Sequence, residues 1–198
     1  MNKNKFIEEI EKLGIEVTDK KLEQLEKYYE LLIEYNKVMN LKGITEQDEV
    51  YLKHFYDSLT ISKIIDLKEE NSLCDLGSGA GFPGIVIKIF YPDLNIKLVD
   101  SLNKRINFLN DVIDKIGLNE ARAIHFRAED AGKDKALREK FDIATARAVA
   151  DLAVLAEYAL PFVKVGGYFV AMKGTAPDEE LENAKKSNKG NGRQNARG

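Results

Sequence analysis

Residues 73–84 read Leu73-Cys74-Asp75-Leu76-Gly77-Ser78-Gly79-Ala80-Gly81-Phe82-Pro83-Gly84. This stretch is the strongest indication of the fold, because it joins a short apolar run to a glycine-rich loop and the start of a helix. Glycines let the backbone turn sharply and let a ligand approach without a Cβ atom in the way. The segment therefore predicts a strand followed by a ligand-binding turn that contains Gly77, Gly79 and Gly81. Proline is favoured in the first turn of a helix, so the next helix is expected to begin near Pro83.

Short apolar runs alternate with helical patterns from this segment onward. The predicted strands are 72–76, 96–100, 122–126, 141–146 and 167–172, and the predicted helices are 83–90, 102–116, 133–139 and 151–163. Such alternation predicts an α/β fold with a mostly parallel sheet and helices on both faces. In that fold the ligand lies at the carboxyl ends of the strands.

The N-terminal region has a different, helical pattern. Apolar residues recur at three- and four-residue steps at Leu22, Leu25, Tyr29, Leu32 and Ile33. Thr18 is expected to cap this helix, and Thr45 with Asp48 fits a capping box before a second helix. The apolar positions of that second helix are Val50, Leu52, Phe55 and Leu59. The predicted organisation is a helical extension at 1–66, a ligand-binding domain at 67–186 and a disordered polar, basic tail at 187–198.

Composition excludes several classes of protein. A length of 198 residues fits one domain with a helical appendage, and 30 basic against 33 acidic residues give a net charge of −3. Nucleic acid would therefore bind only to a local basic patch. The single cysteine, Cys74, and the distant His54 and His125 predict neither an internal disulfide nor a zinc site. No long apolar run and no secretion signal are present, so we expect a cytoplasmic protein without a membrane partner.

Two nucleotide cofactors fit the glycine loop. Asp100 lies 19 residues after Gly81, where such folds place the carboxylate that binds ribose hydroxyls. Gly79, Gly81 and Gly84 also have the G-x-G-x-x-G spacing of NAD-binding proteins. However, the charge of Asp75 would repel a pyrophosphate, whereas it suits the ammonium and sulfonium of S-adenosylmethionine. The sequence favours the methyl donor, and NAD or a purely structural turn remains the alternative.

A set of motifs spread over about residues 5 to 185 resembles the RsmG (GidB) family of 16S rRNA guanine-N7 methyltransferases. The motifs are N-L at 40–41, H-x-x-D-S-L at 54–59, the glycine segment at 73–84, V-D-S at 99–101, R-A-E-D at 127–130, A-R-A-V-A at 146–150 and M-K-G-T at 172–175. The resemblance implies a Rossmann-like, S-adenosylmethionine-dependent enzyme that methylates N7 of a guanosine in 16S rRNA of the small ribosomal subunit. S-adenosylhomocysteine is then the product, and a monomer is expected.

The resemblance also implies roles for particular residues. Cofactor contacts are expected at Gly77, Phe82, Ala128, Glu129 and Arg147, beside Asp75, Gly79, Gly81 and Asp100 from the loop and charge arguments. The catalytic residues, on the side of the substrate, are expected to be Arg127, Arg147 and Lys173. For Arg147 the alternative is an ion pair with an acid such as Glu129 or Asp130. Both histidines are expected to be packed or hydrogen-bonded rather than catalytic.

The chain departs from the family pattern at its C-terminal end. Methyltransferases of this kind finish the sheet with two further strands, whereas the residues beyond about Ser187 are polar and glycine-rich. The last strands are therefore expected to be missing or altered. The alternative function is a protein that binds the methyl donor without catalysing transfer, and an NAD-dependent oxidoreductase is a further one.

Overall fold

The computed structural model describes residues 1–39, 46–127, 130, 133–147 and 152–172. Five strands form one sheet: β1 (Ser72–Leu76), β2 (Asn95–Asp100), β3 (Ala121–His125), β4 (Phe141–Arg147) and β5 (Val163–Met172). Their order is β3-β2-β1-β4-β5, and every neighbouring pair is parallel. The chain order reverses beside β1, so the crevice of this fold opens at the carboxyl end of β1.

The two faces of the sheet are covered by different helices. The helices that follow the first two strands are α5 (Gly84–Phe90) and α6 (Asn103–Ile116), and α7 (Leu152–Ala159) follows β4. One hydrophobic cluster joins α5, α6 and sheet residues such as Leu73 and Leu98. A second cluster contains Cys74 and Ala144 from the opposite face, together with Ala159 of α7. The alternation along each strand thus gives the predicted α/β sandwich.

The N-terminal extension continues the first of these clusters. It contains α1 (Lys3–Lys12), α2 (Asp19–Met39), α3 (Gln47–Val50), a π-helix (Tyr51–Tyr56), α4 (Asp57–Leu59) and a 3₁₀-helix (Thr60–Lys63). Side chains of α1, α2 and the π-helix, including Phe6, Tyr28 and Phe55, are fully buried in the cluster that also holds α5. The extension is therefore packed onto the sheet domain. In the described part of the chain, no helix is long and apolar enough to cross a membrane.

The turn from β1 into α5 is held by a close approach at Gly84. The Gly84 N–H donates to Asp75 Oδ2 at 3.0 Å. An ideal Cβ at Gly84 would lie 2.3 Å from Leu98 Cδ2 and 2.8 Å from Asp75 Oδ2. Leu98 and Asp75 are both fully buried, so neither has room to move away. A residue without a side chain is required here for α5 to pack against β1 and β2.

Most predicted elements are confirmed, including the fold class, the five strands and the Gly117 cap, whose φ is +67°. Thr18 also caps α2, since its Oγ1 accepts from Lys21 N at 3.3 Å. The N-cap of α3 is Glu46, without a side-chain hydrogen bond. Thr45 lies outside the described residues, so the capping box of Thr45 and Asp48 stays a prediction. The tail at 187–198 also lies outside the described residues, so its disorder stays a prediction.

Two predictions were wrong. Residues 133–139 form turns rather than a helix, with Leu137 N and Arg138 N both bonded to Asp134 O. Leu52 is 43% exposed instead of lying in the core stripe. The buried positions of that segment are Val50, Tyr51, Phe55, Ser58 and Leu59. They share one side of the helix, and Leu52 lies off that side because successive helical residues point about 100° apart.

We predict that Gly84→Ala lowers the free energy of unfolding by about 1–3 kcal/mol, because the new methyl group overpacks a filled site. Gly117→Ala is the matched control. Its Cβ meets nothing within 4 Å, so it should lose only about 1 kcal/mol through its left-handed backbone. Urea unfolding measures both. A Gly84→Ala protein more stable than the wild type, as helix propensity alone predicts, would contradict the packing argument.

Candidate functional site

The glycine loop leaves its outer surface open at two positions. Gly77 and Gly79 have φ values of +66° and +60°, and an ideal Cβ on Gly77 would meet nothing within 4 Å. At Gly79 the nearest atom is the Gly77 carbonyl oxygen at 3.8 Å. Gly81 differs, because a Cβ there would lie 2.6 Å from Ile85 Cγ1 and 2.8 Å from the Tyr28 hydroxyl. Gly81 is thus required for packing, and the surface available to a ligand is that of Gly77 and Gly79.

Asp100 anchors this loop to the end of β2. Its Oδ2 accepts from Gly79 N at 2.9 Å, and its Oδ1 accepts from Leu102 N at 2.9 Å. Arg105 of α6 donates to Oδ2 at 3.3 Å. The carboxylate is 2% exposed, so it lies at the bottom of the crevice. A carboxylate has about four acceptor positions, which leaves Asp100 capacity for a further donor.

A cleft opens beside Asp100 at the carboxyl ends of β1 and β2. Its volume is about 410 Å³. The lining residues are Gly77, Val99, Asp100, Ser101, Arg105, Phe126, Arg127 and Tyr158. Pockets for small molecules typically measure roughly 300–1,000 Å³, so the cleft can hold a substantial part of a nucleoside. The structure thus brings Gly77, Asp100 and Arg127 of the predicted set to one concave surface.

Asp75 lies beneath the loop rather than in the cleft. Its side chain is fully buried, and its Oδ1 has no hydrogen-bond partner among the described residues. The Ser78 hydroxyl donates to the main-chain carbonyl of Asp75 at 2.9 Å. Burial raises the pKa of Asp75 to about 7, although the bond from Gly84 N–H opposes the shift. An unpaired buried oxygen costs about 1–3 kcal/mol of stability.

Arg147, the last residue of β4, binds the helical extension. Its NH1 donates to the Lys53 carbonyl at 3.2 Å and lies 3.7 Å from Asp57 Oδ2, and its NH2 contacts His54 Nδ1. Because a guanidinium only donates, His54 accepts through Nδ1 and carries its proton on Nε2. Burial raises the pKa of Asp57, and the charge of Arg147 opposes this shift. The ion pair that the sequence offered as the alternative role of Arg147 is present with Asp57. Glu129, one of the two acids named for it, lies outside the described residues.

Phe82 connects this contact to the glycine loop. The His54 ring is stacked on the Phe82 ring, with centroids 4.7 Å apart and an interplanar angle of 17°. The Arg147 guanidinium carbon lies 5.1 Å from the centroid of the same ring, within cation–π distance. Tyr28 packs on Phe82 and donates from its hydroxyl to Ala80 O at 2.6 Å. We call Arg147, Phe82, His54, Asp57 and the Lys53 carbonyl the Arg147 cluster.

The predicted site residues therefore fall into two groups. Gly77, Asp100 and Arg127 line the cleft, and Gly79 is bonded to Asp100. Phe82 and Arg147 contact the extension. Ala128, Glu129 and Lys173 lie outside the described residues, so their roles stay predictions. Asp57 and Arg105 were not predicted as partners of Arg147 and Asp100. The expectation that His54 is packed or hydrogen-bonded is confirmed. The H-x-x-D spacing was a signal, since it puts His54 and Asp57 on one helical face.

We predict that Asp75→Asn changes how stability depends on pH. The raised pKa of Asp75 makes the native state hold one proton more than the unfolded state between about pH 4 and pH 7. The free energy of unfolding should therefore fall as the pH rises from 5 to 7, by about 2 kcal/mol more in the wild type than in Asp75→Asn. Asparagine keeps an oxygen for Gly84 N–H. Urea unfolding across this range, with the exposed Asp114→Asn as control, tests this, and parallel curves for wild type and Asp75→Asn would contradict it.

The chain is similar to known proteins over most of its length. The family model GidB, rRNA small subunit methyltransferase G, matches residues 21–196. The Ribosomal RNA small subunit methyltransferase G of Exiguobacterium sibiricum is 51% identical over 182 residues, which cover 92% of this chain and 76% of the relative. That of Bacillus licheniformis is 52% identical over 187 residues, covering 94% and 78%.

A solved structure with a similar fold is the crystal structure of a SAM dependent methyltransferase from Aquifex aeolicus. The TM-score is 0.55 at 16% sequence identity, and the match covers 75% of this chain and 85% of that chain. At this identity the likeness shows the fold alone, which is the Rossmann-like methyltransferase fold. The family match over most of the chain, together with relatives of about half identical sequence, shows that the chain belongs to the GidB family, rRNA small subunit methyltransferase G.

Proposed function

We propose that this protein transfers the methyl group of S-adenosylmethionine to N7 of a guanosine in the 16S rRNA of the small ribosomal subunit. The observation that carries the proposal is the open glycine surface of Gly77 and Gly79 beside the buried Asp100, in a chain of this family. The protein is proposed to act as a cytoplasmic monomer, without a membrane partner.

The residues present fit S-adenosylmethionine. The space over Gly77 and Gly79 admits a ligand backbone, and the adjoining cleft has the size of a nucleoside pocket. Asp100 has acceptor capacity left for ribose hydroxyls. Asp75 lies beneath the loop, where its Oδ1 has no hydrogen-bond partner among the described residues. The negative charge of the cleft itself comes from Asp100. An acidic pocket of this kind attracts the cationic methyl donor and repels the pyrophosphate of NAD.

The chemistry places few demands on the protein. S-adenosylmethionine supplies a methyl group bonded to a sulfonium sulfur. The group that leaves is the neutral thioether S-adenosylhomocysteine, which is an excellent leaving group. The protein's task is then to hold donor and acceptor in line, and correct orientation alone removes several kcal/mol from the barrier. Asp100 and the glycine loop orient the nucleoside half. Arg147 and Phe82 border the other side of the loop and are proposed to orient the methionine end or the target base.

Guanine N7 suits a site without a general base. N7 presents a free lone pair on the major-groove edge, so it can attack without losing a proton first. Each histidine is engaged in the structure, because His125 Nε2 bonds to Ser101 O at 2.9 Å and His54 Nδ1 accepts from Arg147. Cys74 is buried, and burial raises the pKa of its thiol, so it is not placed as a nucleophile.

Basic residues at the same edge supply a local contact for RNA. Arg127 is exposed at the border of the cleft, and Arg105, which lines the same cleft, is partly exposed. Lys53, whose carbonyl binds Arg147, also has an exposed side chain. Such cations bind phosphate oxygens and position the strand without reading its sequence. Lys173, which follows β5, is proposed to join them.

The experiment that tests the proposed function is methylation of small ribosomal subunits that lack the modification. The protein is incubated with S-adenosylmethionine labelled in the methyl group, and 7-methylguanosine is mapped by borohydride and aniline cleavage of the 16S rRNA. We expect one labelled guanosine that is cleaved by this treatment, because only N7 methylation makes the base labile. Label that resists cleavage would refute N7, and cofactor binding without label would favour the silent binder.

We also predict that Gly77→Asn weakens S-adenosylhomocysteine binding by at least about tenfold, because the side chain occupies the space over the loop. Gly117→Asn is the matched control, since Gly77 and Gly117 have φ values of +66° and +67° and neither Cβ meets an atom within 4 Å. Asparagine tolerates the left-handed conformation, so both variants should unfold at similar urea concentrations. Calorimetry that finds equal affinity in the two variants would exclude the loop as the cofactor surface.

A further inference from the structure

The Arg147 cluster joins three parts of the fold that are distant in sequence. Arg147 ends β4, Phe82 ends the glycine loop, and the remaining partners lie within 53–57 of the extension. The side chain of Arg147 is only 23% exposed, and that of Asp57 is 50% exposed. The contact is therefore a half-desolvated charge pair next to the open glycine surface.

The helix that presents these partners is wound as a π-helix over Tyr51–Tyr56, a form that occurs frequently at functional sites. The Asp57 N–H donates to the carbonyls of Leu52 and His54, while the Lys53 carbonyl accepts from Arg147. The extension thus offers one guanidinium two hydrogen-bond acceptors, a carbonyl and an imidazole nitrogen, and one ion-pair partner, the Asp57 carboxylate at 3.7 Å. Two directional bonds and an adjacent opposite charge restrict both the position and the orientation of a planar donor.

We infer that His54 and Asp57 of the helical extension are positioning residues that hold the Arg147 guanidinium over Phe82 for methyl transfer. This inference rests on the proposed function and deepens it, because Arg147 is the residue proposed to touch the cofactor or the base. His54 acts in two ways, since its ring stacks on Phe82 while its Nδ1 accepts from Arg147. Asp57 supplies the opposite charge, which keeps the guanidinium from turning toward bulk solvent.

The charges around Arg147 support a positioning role. Burial lowers the pKa of Arg147, and Asp57 is the strongest opposing charge, ahead of Tyr28 and Asp75. Without Asp57, the guanidinium would keep a carbonyl and an imidazole but lose its adjacent carboxylate. A small displacement of a substrate-positioning group can cost on the order of 100-fold in rate. The expected defect is therefore in the transfer step more than in folding.

The first arm of the test observes Arg147 directly and does not need activity. Arginine side-chain NMR of the full chain should show restrained N–H signals for Arg147, assigned by their absence in Arg147→Lys. Asp57→Asn should shift and broaden these signals. Glu49→Gln is the matched control, because Glu49 lies on the same helical segment in an exposed ion pair with Lys53 at 2.7 Å. It should leave the Arg147 signals unchanged.

The second arm measures single-turnover methyl transfer to small ribosomal subunits. Asp57→Asn should lower the rate at least about tenfold while keeping the unfolding midpoint of the wild type. In the Arg147→Lys background the same change should have at most about a twofold effect, because the residue it positions is already altered. His54→Gln should behave like Asp57→Asn, and Glu49→Gln should retain the wild-type rate.

The two arms separate failure of this inference from failure of the proposed function. If the wild-type protein transfers no methyl group but its Arg147 signals change in Asp57→Asn, the proposed function is refuted and the contact between Asp57 and Arg147 is supported. Active Asp57→Asn protein with unchanged Arg147 signals would overturn the positioning inference. Additive rate losses in the double variant would also overturn it, because they would show that Asp57 acts independently of Arg147.

Discussion

The hydrogen bond from Gly84 N–H to the buried Asp75 carboxyl is the contact on which the rest of the structure depends. It lets the first turn of α5 approach β1 so closely that no side chain fits at Gly84. In the loop between β1 and α5, Gly77 and Gly79 take left-handed conformations. Asp100, the last residue of β2, binds this loop through the Gly79 N–H. The surface proposed for the cofactor follows from the packing of this turn.

The helical extension is part of the same site. It shares one hydrophobic cluster with α5 and α6, and it reaches the carboxyl edge of the sheet through Phe82 and Arg147. The rings of Tyr28 and Phe55, which belong to the extension, pack against Phe82 of the glycine segment and so join the two parts. A substitution in the extension can therefore alter the position of Arg147 without changing a residue that lines the cleft.

The sequence predicted what depends on local spacing. The short apolar runs, the loop of Gly77 and Gly79 and the cap at Gly117 reflect nearest-neighbour backbone constraints, so they were recognisable. The pairing of Arg147 with Asp57 joins residues 90 positions apart and needs the three-dimensional path of the extension. Leu52 was misplaced because apolar character alone does not tell which side of a helix faces the core. Glycines of one motif also differ in purpose, since Gly81 avoids Ile85 and Tyr28 whereas Gly77 faces open space.

We propose that the methyl donor lies over Gly77 and Gly79, with its ribose at Asp100 and its methionine end toward the Arg147 cluster. The decisive measurement is a crystal structure of the protein with S-adenosylhomocysteine. We expect ribose oxygens within hydrogen-bond distance of Asp100 and the sulfur on the side of the loop that faces Phe82. A nucleoside bound away from the glycine loop, or with its ribose remote from Asp100, would refute this placement.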